Sequence, residues 1–317
     1  MLFSVSTAIP AKGQFTEDRV FGFLELTGSA RSAGLGGNHV ALADGGVSLF
    51  TANPAYLTDR AHKEVSFSYL NHLSDIYLAT VDFAYHLDQL GTFASGIRYL
   101  NYGDMQRTTR DGARIGTFNA YDFSWSFAFS REWLPSLTAG IGTQLIASSY
   151  DDYQSTGVAF FGGLMYTFNE GNTIAGLSFQ HLGTQLTTYD GTREELPFTI
   201  TAGISHRLNH LPLRFNLALH SLNKWEIPVY DDDSPGFADY LFRHVRLGTE
   251  ILFSKHAHLR LGYDHLKNQS LKSDKRLDFA GASIGLGIMV YSIHMDISRS
   301  SFSESGGITQ ISLSKNF

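Results

Sequence analysis

Few residues of this 317-residue chain could do covalent or metal chemistry, and their spacing argues against most of it. Gly281-Ala282-Ser283-Ile284-Gly285 spells the G-x-S-x-G string of a nucleophile elbow. There a serine sits on a sharp strand-to-helix turn, and an acid and then a histidine follow it in the chain. Here the string lies inside an alternating apolar and polar run, which predicts a strand and no elbow. His206 with His210, or His256 with His258, could pair on a metal, but no H-E-x-x-H string or helix sets them on one face, and a site needs about three converging ligands. Gly34-Leu35-Gly36-Gly37 lacks the buried strand before it and the helix after it that a dinucleotide fingerprint requires. With no cysteine at all, thiolate nucleophiles, disulfides and thiolate zinc sites are excluded. No catalytic residue, metal or cofactor is expected.

Binding chemistry has more support. The segment 223–244 joins Trp225, Tyr230 and Tyr240 to Asp231, Asp232 and Asp233, and rigid aromatics beside polar groups are the composition of interaction hot spots. Arg107, Arg110 and Arg114 in one connection, and Lys267, Lys272, Lys275 and Arg276 in another, could meet the phosphates of lipopolysaccharide or stand as solvated charge runs. A nucleic-acid partner is excluded by charge, because 24 Lys and Arg against 30 Asp and Glu leave −6.

The elements that must carry these groups are strands. Tyr121, Phe123, Trp125, Phe127 and Phe129 alternate without a break with Asp122, Ser124, Ser126, Ala128 and Ser130, a period of two. The same alternation recurs from Val65 to Phe317 in about 14 runs, each of a length that crosses an outer membrane when tilted. Mean hydropathy is only −0.09, too polar for a helical membrane bundle, while 24 Phe, 15 Tyr and 3 Trp are too many aromatics for a disordered chain. Arg98, Arg214, Arg246, Glu250, Arg260 and Asp264 fall mid-strand on the side opposite the apolar residues. An unpaired ion in hydrocarbon costs several kcal/mol, so these positions imply a polar interior. Connections alternate as well. Short turns at 88–92, 131–136, 169–172, 209–212 and 255–258 separate longer polar segments at 101–117, 148–156, 183–196, 223–244, 267–276 and 298–306, the asymmetry of an outer-membrane barrel. No clear turn divides 277–298. The fold class expected is a transmembrane antiparallel β-barrel of about 14 strands over residues 64–317.

Two segments precede it. Residues 1–13 are apolar and end in Ala11 and Gly13, like the end of a secretory signal peptide, which implies export. Residues 14–63 are rich in Gly, Ala, Ser and Asp and predict a compact, turn-rich hatch in or under the lumen. In this segment Arg31, Gly34, Leu35, Gly36, Gly37, Asp44, Gly45, Asn53, Pro54 and Ala55 follow in order the "ARxxGLGG … ADG … NPA" succession. On those residues the chain resembles the PorV/PorQ group of FadL-like outer-membrane barrels, and in length and overall run it is most like the PorQ side of that group. The C-terminal Phe317 is similar to the aromatic end of such barrels, although Lys315 departs from the pattern and would have to snorkel. The resemblance implies a non-enzymatic barrel of the bacterial outer membrane. It would anchor a PorZ-like surface protein in the cargo attachment complex of a type IX secretion system, in contact with lipopolysaccharide. The alternative it leaves open is a FadL-like transporter of hydrophobic small molecules, since relatives of that kind use a similar hatch.

Overall fold

The structure, a computed structural model, describes residues 19–72, 75–109, 111–229, 235–271, 279–303 and 306–317. The proposed signal-peptide remnant, 1–13, lies outside them.

Fourteen antiparallel strands close into one barrel, each paired with its neighbours in sequence and the last with the first. They are β1 (Glu64–Asn71), β2 (Tyr77–Leu87), β3 (Gly91–Thr108), β4 (Arg114–Leu134), β5 (Leu137–Tyr150), β6 (Tyr153–Phe168) and β7 (Thr173–Thr187). Then come β8 (Thr199–Arg207), β9 (Leu213–Leu219), β10 (Val245–Leu252), β11 (Ala257–Asp264), β12 (Ala282–Val290), β13 (Ile293–Ser303) and β14 (Gly306–Asn316). Closure leaves no strand edge unpaired, which is the condition for a sheet to cross hydrocarbon. Among the described residues no helix is long and apolar enough to cross.

Alternation decides what each side chain meets. Along β4, Tyr121, Trp125 and Phe127 are exposed on the outside while Asp122, Ser124, Ser126 and Ser130 are buried toward the lumen. Outward apolar residues on every strand make a continuous belt, including Phe67, Phe83, Phe93, Leu145, Leu164, Leu177, Ile204, Phe215, Leu247, Leu261, Ile284, Ile297 and Leu313. Tyrosines mark one rim: Tyr69, Tyr77, Tyr99 and Tyr121 on β1 to β4 stack in a row with centroids 5.7, 6.5 and 5.8 Å apart. Such rings, apolar in the body and polar at the tip, favour the headgroup level. At the opposite rim Lys315 places its ammonium 4.4 Å from the Phe317 ring, so the C-terminal charge lies over an aromatic at the interface.

Several polar connections that the sequence suggests are loops are strand. β3 and β4 run on through most of 101–117, and β5 and β6 are joined by Asp151 and Asp152 alone. Beyond the bilayer both faces meet water, so apolar alternation stops while backbone pairing continues. Among the described residues, irregular outer connections remain at 188–198, 220–229, 235–244, 265–271 and 279–281. They carry α1 (Phe237–Arg243) and α2 (His265–Leu271), beside the short strands β8 to β12. The turn hidden in 277–298 is at Tyr291 and Ser292, where Tyr291 takes φ 56° with its ring in the open.

Residues 19–63 fill the lumen. They hold one short helix, Ala30–Gly34, and four single 3-10 turns, and they pack on the inner faces of the strands.

Candidate functional site

The lumen is divided by this hatch, and the ARSAGLGG and NPA stretches make the partition. Ala30–Gly34 lies against β11 to β14, with the Ala30 N–H donating to Ser312 Oγ at 2.8 Å. Its approach is possible because wall and hatch both lack side chains there. A Cβ on Gly34 would lie 3.0 Å from Gly285 Cα, and one on Gly36 would lie 3.0 Å from the Tyr263 nitrogen. Gly36 and Gly37 also take φ of +98° and +143°, a left-handed region that favours glycine. Opposite, Asn53 caps the turn made by Pro54 and Ala55. Its Oδ1 accepts from Ala55 N–H at 3.0 Å, and its amide donates to Val40 O at 2.7 Å and to Leu164 O of β6 at 3.2 Å. Tyr56 ties the two stretches together, accepting from Leu42 N–H at 2.8 Å and donating to His39 O at 2.9 Å. Leu35, Leu42, Leu49 and Tyr56 then form one buried layer across the lumen. Burial also holds the His39 imidazole down to about 4, so it is neutral at pH 7.

Below this layer the lumen charges converge. Glu250 on β10 accepts both Nε and Nη2 of Arg31 at 3.1 Å, Arg260 Nε at 3.1 Å and Arg214 Nη1 at 3.3 Å. Arg260 continues to Asp296 at 2.5 Å, while Arg31 also donates to the carbonyls of Ala43 and Asp44. The Asp44 carboxylate faces Arg60 at 2.8 Å and Arg214 at 3.7 Å. Arg98, on the other side of the barrel, donates to the carbonyls of Leu24 and Leu26. The mid-strand charges are thus lumenal, as alternation requires, and two of them, Glu250 and Arg98, hold the hatch by direct hydrogen bonds, while the others pair along the wall and border the cavities. The cluster borders an inner cavity of 600 Å³ at the end of the short turns.

Above the layer lies an outer vestibule of 220 Å³, roofed by Ile227, Pro228, Leu266 and Lys267 and bordered by Arg246 and Asp264. The two cavities share no lining residue. Glycines at lumenal strand positions were the signal for this arrangement. Gly163, Gly248, Gly262 and Gly285 interrupt alternating strands, and each faces a hatch residue within 4 Å of where its Cβ would be.

The rim residues are dispersed. Trp225 stacks on His244 with centroids 5.4 Å apart, and His244 sits between His220 O at 2.7 Å and Trp225 O at 3.1 Å. Tyr240 on α1 lies under the Arg243 guanidinium at 5.2 Å. Tyr230, Asp231, Asp232, Asp233, Arg110, Lys272, Lys275 and Arg276 lie outside the described residues. Arg107 is engaged by Asp151, which joins the tips of two neighbouring hairpins, and Arg114 is exposed. Ser283 is the second residue of β12, with strand and no helix following it, and pairs with Ser300 in the ladder, so there is no elbow, and its Oγ has no hydrogen-bond partner. Among the described residues no three His, Cys, Asp or Glu side chains gather as a metal site.

A closed 14-stranded barrel with an apolar belt and a segment folded inside its lumen is the fold of an outer-membrane barrel. The fold is similar over most of its length to the toluene transporter TbuX of Ralstonia pickettii, with a TM-score of 0.57, 14% identity, and coverage of 93% of this chain and 99% of that one. It is similar also to the toluene transporter TodX of Pseudomonas putida (0.57, 15% identity, 92% and 99%) and to a FadL homologue of Pseudomonas aeruginosa (0.53, 12% identity, 92% and 98%). No protein-family model and no curated protein matches the sequence.

Proposed function

We propose that the protein is a hatch-gated channel of the bacterial outer membrane for small hydrophobic or amphipathic molecules. The observation that carries this reading is the pair of cavities, outer and inner, facing each other across one layer of hatch residues inside the barrel. The fold shared with channels for toluene supports it. On the β1 to β6 side the hatch meets the wall largely through apolar contacts, which offer apolar surface to a hydrophobic solute beside the buried Glu64, Asp82 and Arg98. Passage requires the hatch to shift, and the absence of cysteine in the chain allows a clean test. Ala30→Cys with Ser312→Cys joins hatch to wall at an existing 2.8 Å contact. In liposomes, uptake of labelled toluene should stop when the pair is oxidised and return on reduction. Uptake through the oxidised barrel at the wild-type rate would refute gating by the hatch.

A second reading is an anchor for a PorZ-like surface protein in an attachment complex, with lipopolysaccharide beside it. It is favoured by the aromatics Trp225, Phe237 and Phe242, exposed on the outer connection instead of on strands. Replacing 223–244 by a Gly/Ser linker should leave the barrel heat-modifiable and release a bound surface protein from membranes. Full retention of that protein would remove this support.

A further inference from the structure

The outer vestibule has a group of charged side chains in its lining. Arg246 Nε donates to Asp264 at 2.8 Å and Lys267 Nζ stands 3.9 Å from the same carboxylate, so among the described residues two cations share this anion and a unit of positive charge is left over. Glu25, the other acid of the lining, is engaged at 3.9 Å by Arg19. His220 is 3% exposed and lines the same cavity as Arg246, Asp264 and Lys267. Its Nδ1 lies 3.0 Å from Ser221 Oγ, whereas its Nε2 is buried with no hydrogen-bond partner. An orphaned buried polar atom in the lining of a cavity that holds an uncompensated charge is a group that an anionic ligand would satisfy. The lining also offers apolar surface at Leu26, Leu70, Ile227, Phe302 and Ile308, interspersed with the neutral polar side chains of Gln180, Thr199, Thr201 and Gln310.

We infer that the outer vestibule binds a single-ring aromatic carboxylate, with the carboxylate between Arg246, Lys267 and His220 Nε2 and the ring on the apolar wall. With Ser221 donating to Nδ1, the ring proton sits on Nε2 and is donated to a carboxylate oxygen. Charge selects a monoanion, because a second negative charge would outweigh the single unit available. Size selects one ring: a cavity on the order of 150 Å³ accepts benzene, so 220 Å³ takes a ring and its carboxylate but not a long acyl chain.

The inference rests on the channel reading, since it names the class of molecule that the channel would admit, but it is tested by binding and not by transport. Calorimetric titration of the detergent-solubilised barrel uses benzoate, benzyl alcohol, which keeps the ring without the charge, and acetate, which keeps the charge without the ring. Benzoate should bind at least about tenfold tighter than either, by the stronger hydrogen bonds to a charged group. Lys267→Met and His220→Phe should each weaken benzoate about five- to tenfold and leave benzyl alcohol unchanged, with heat-modifiability on electrophoresis confirming the folded barrel. Equal affinity for benzoate and benzyl alcohol, or benzoate affinity unaltered in both variants, would overturn the site. Binding of benzoate without liposome uptake keeps the site and removes the channel. Toluene uptake with no benzoate binding does the reverse.

Discussion

On the side of β2 to β6, Phe50, Val47 and Leu57 of the hatch meet Ala84, Ala94, Ala128 and Phe161 of the wall, with the Phe50 and Phe161 ring centroids 6.0 Å apart. Across the lumen the same hatch meets β10 to β13 through bare glycine backbone and through Arg31 on Glu250. Apolar contact is non-directional and survives a slide of an ångström or two, whereas a bidentate ion pair and a glycine approach exist in one register only. The difference teaches where a hatch can yield. The alanine-floored patch around Phe50 acts as a bearing surface, pinned at its margins by Arg98 and by Asn53 on Leu164 O, and the glycine and ion-pair side acts as a catch.

The sharpest way to break that contrast is Glu250→Gln, which leaves Arg31, Arg214 and Arg260 around an uncharged amide. Removing one partner of a buried ion pair typically costs about 3–5 kcal/mol. Amide exchange read by mass spectrometry should quicken across 30–46, with the segment around Phe50 little changed. Equal loosening of both segments would show that the hatch moves as one piece and that the catch is not local. The mirror experiment is Phe50→Ala, for which a core cavity predicts a loss of about 3 kcal/mol. Its exchange should rise over 47–61 while Arg31 stays seated, visible as unaltered protection of Ala30 to Gly34.

Tyr56→Phe tests the strap between the two sides. It removes the hydroxyl that bridges Leu42 and His39 and should lower hatch stability by roughly 1–2 kcal/mol, measured as easier proteolysis of the hatch in intact barrels. Mild acid gives the smallest effect. His39 is held near 4 inside the lumen but titrates near 6.5 when the hatch is free in water, so the released hatch binds the extra proton. Its contribution is complete above pH 6.5 and is lost as pH falls toward 4. Between pH 7 and 6 the change should be under about 1 kcal/mol, and His39→Gln should flatten the pH dependence of hatch exchange.

How much of this was legible beforehand follows from what each signal reports. The β4 alternation from Tyr121 to Ser130 reports two solvents, lipid and lumen, and it located that strand and its parity. It failed at the hairpin tips of β3 with β4 and β5 with β6, where water lies on both faces and pairing leaves no trace in the pattern. It missed the Tyr291 turn, which uses neither glycine nor proline. The hatch succession from Arg31 to Ala55 was visible as composition, yet its partners were not. Arg31 and Glu250 are 219 residues apart, and nothing local links them. Lumenal glycines such as Gly248 and Gly285 were readable as interruptions, though only the packed structure shows what approaches them.

The amino-acid order by itself determined that this chain makes fourteen strands with apolar residues outward and charges inward, because a pleated strand turns alternate side chains to opposite faces. Only the tertiary structure decided which of those inward charges hold a hatch, as Glu250 and Arg98 do, and which border the cavities on either side of it. Which lumenal residues share a level depends on how the strands stagger when the barrel closes, and that stagger is a property of the whole sheet rather than of any one strand.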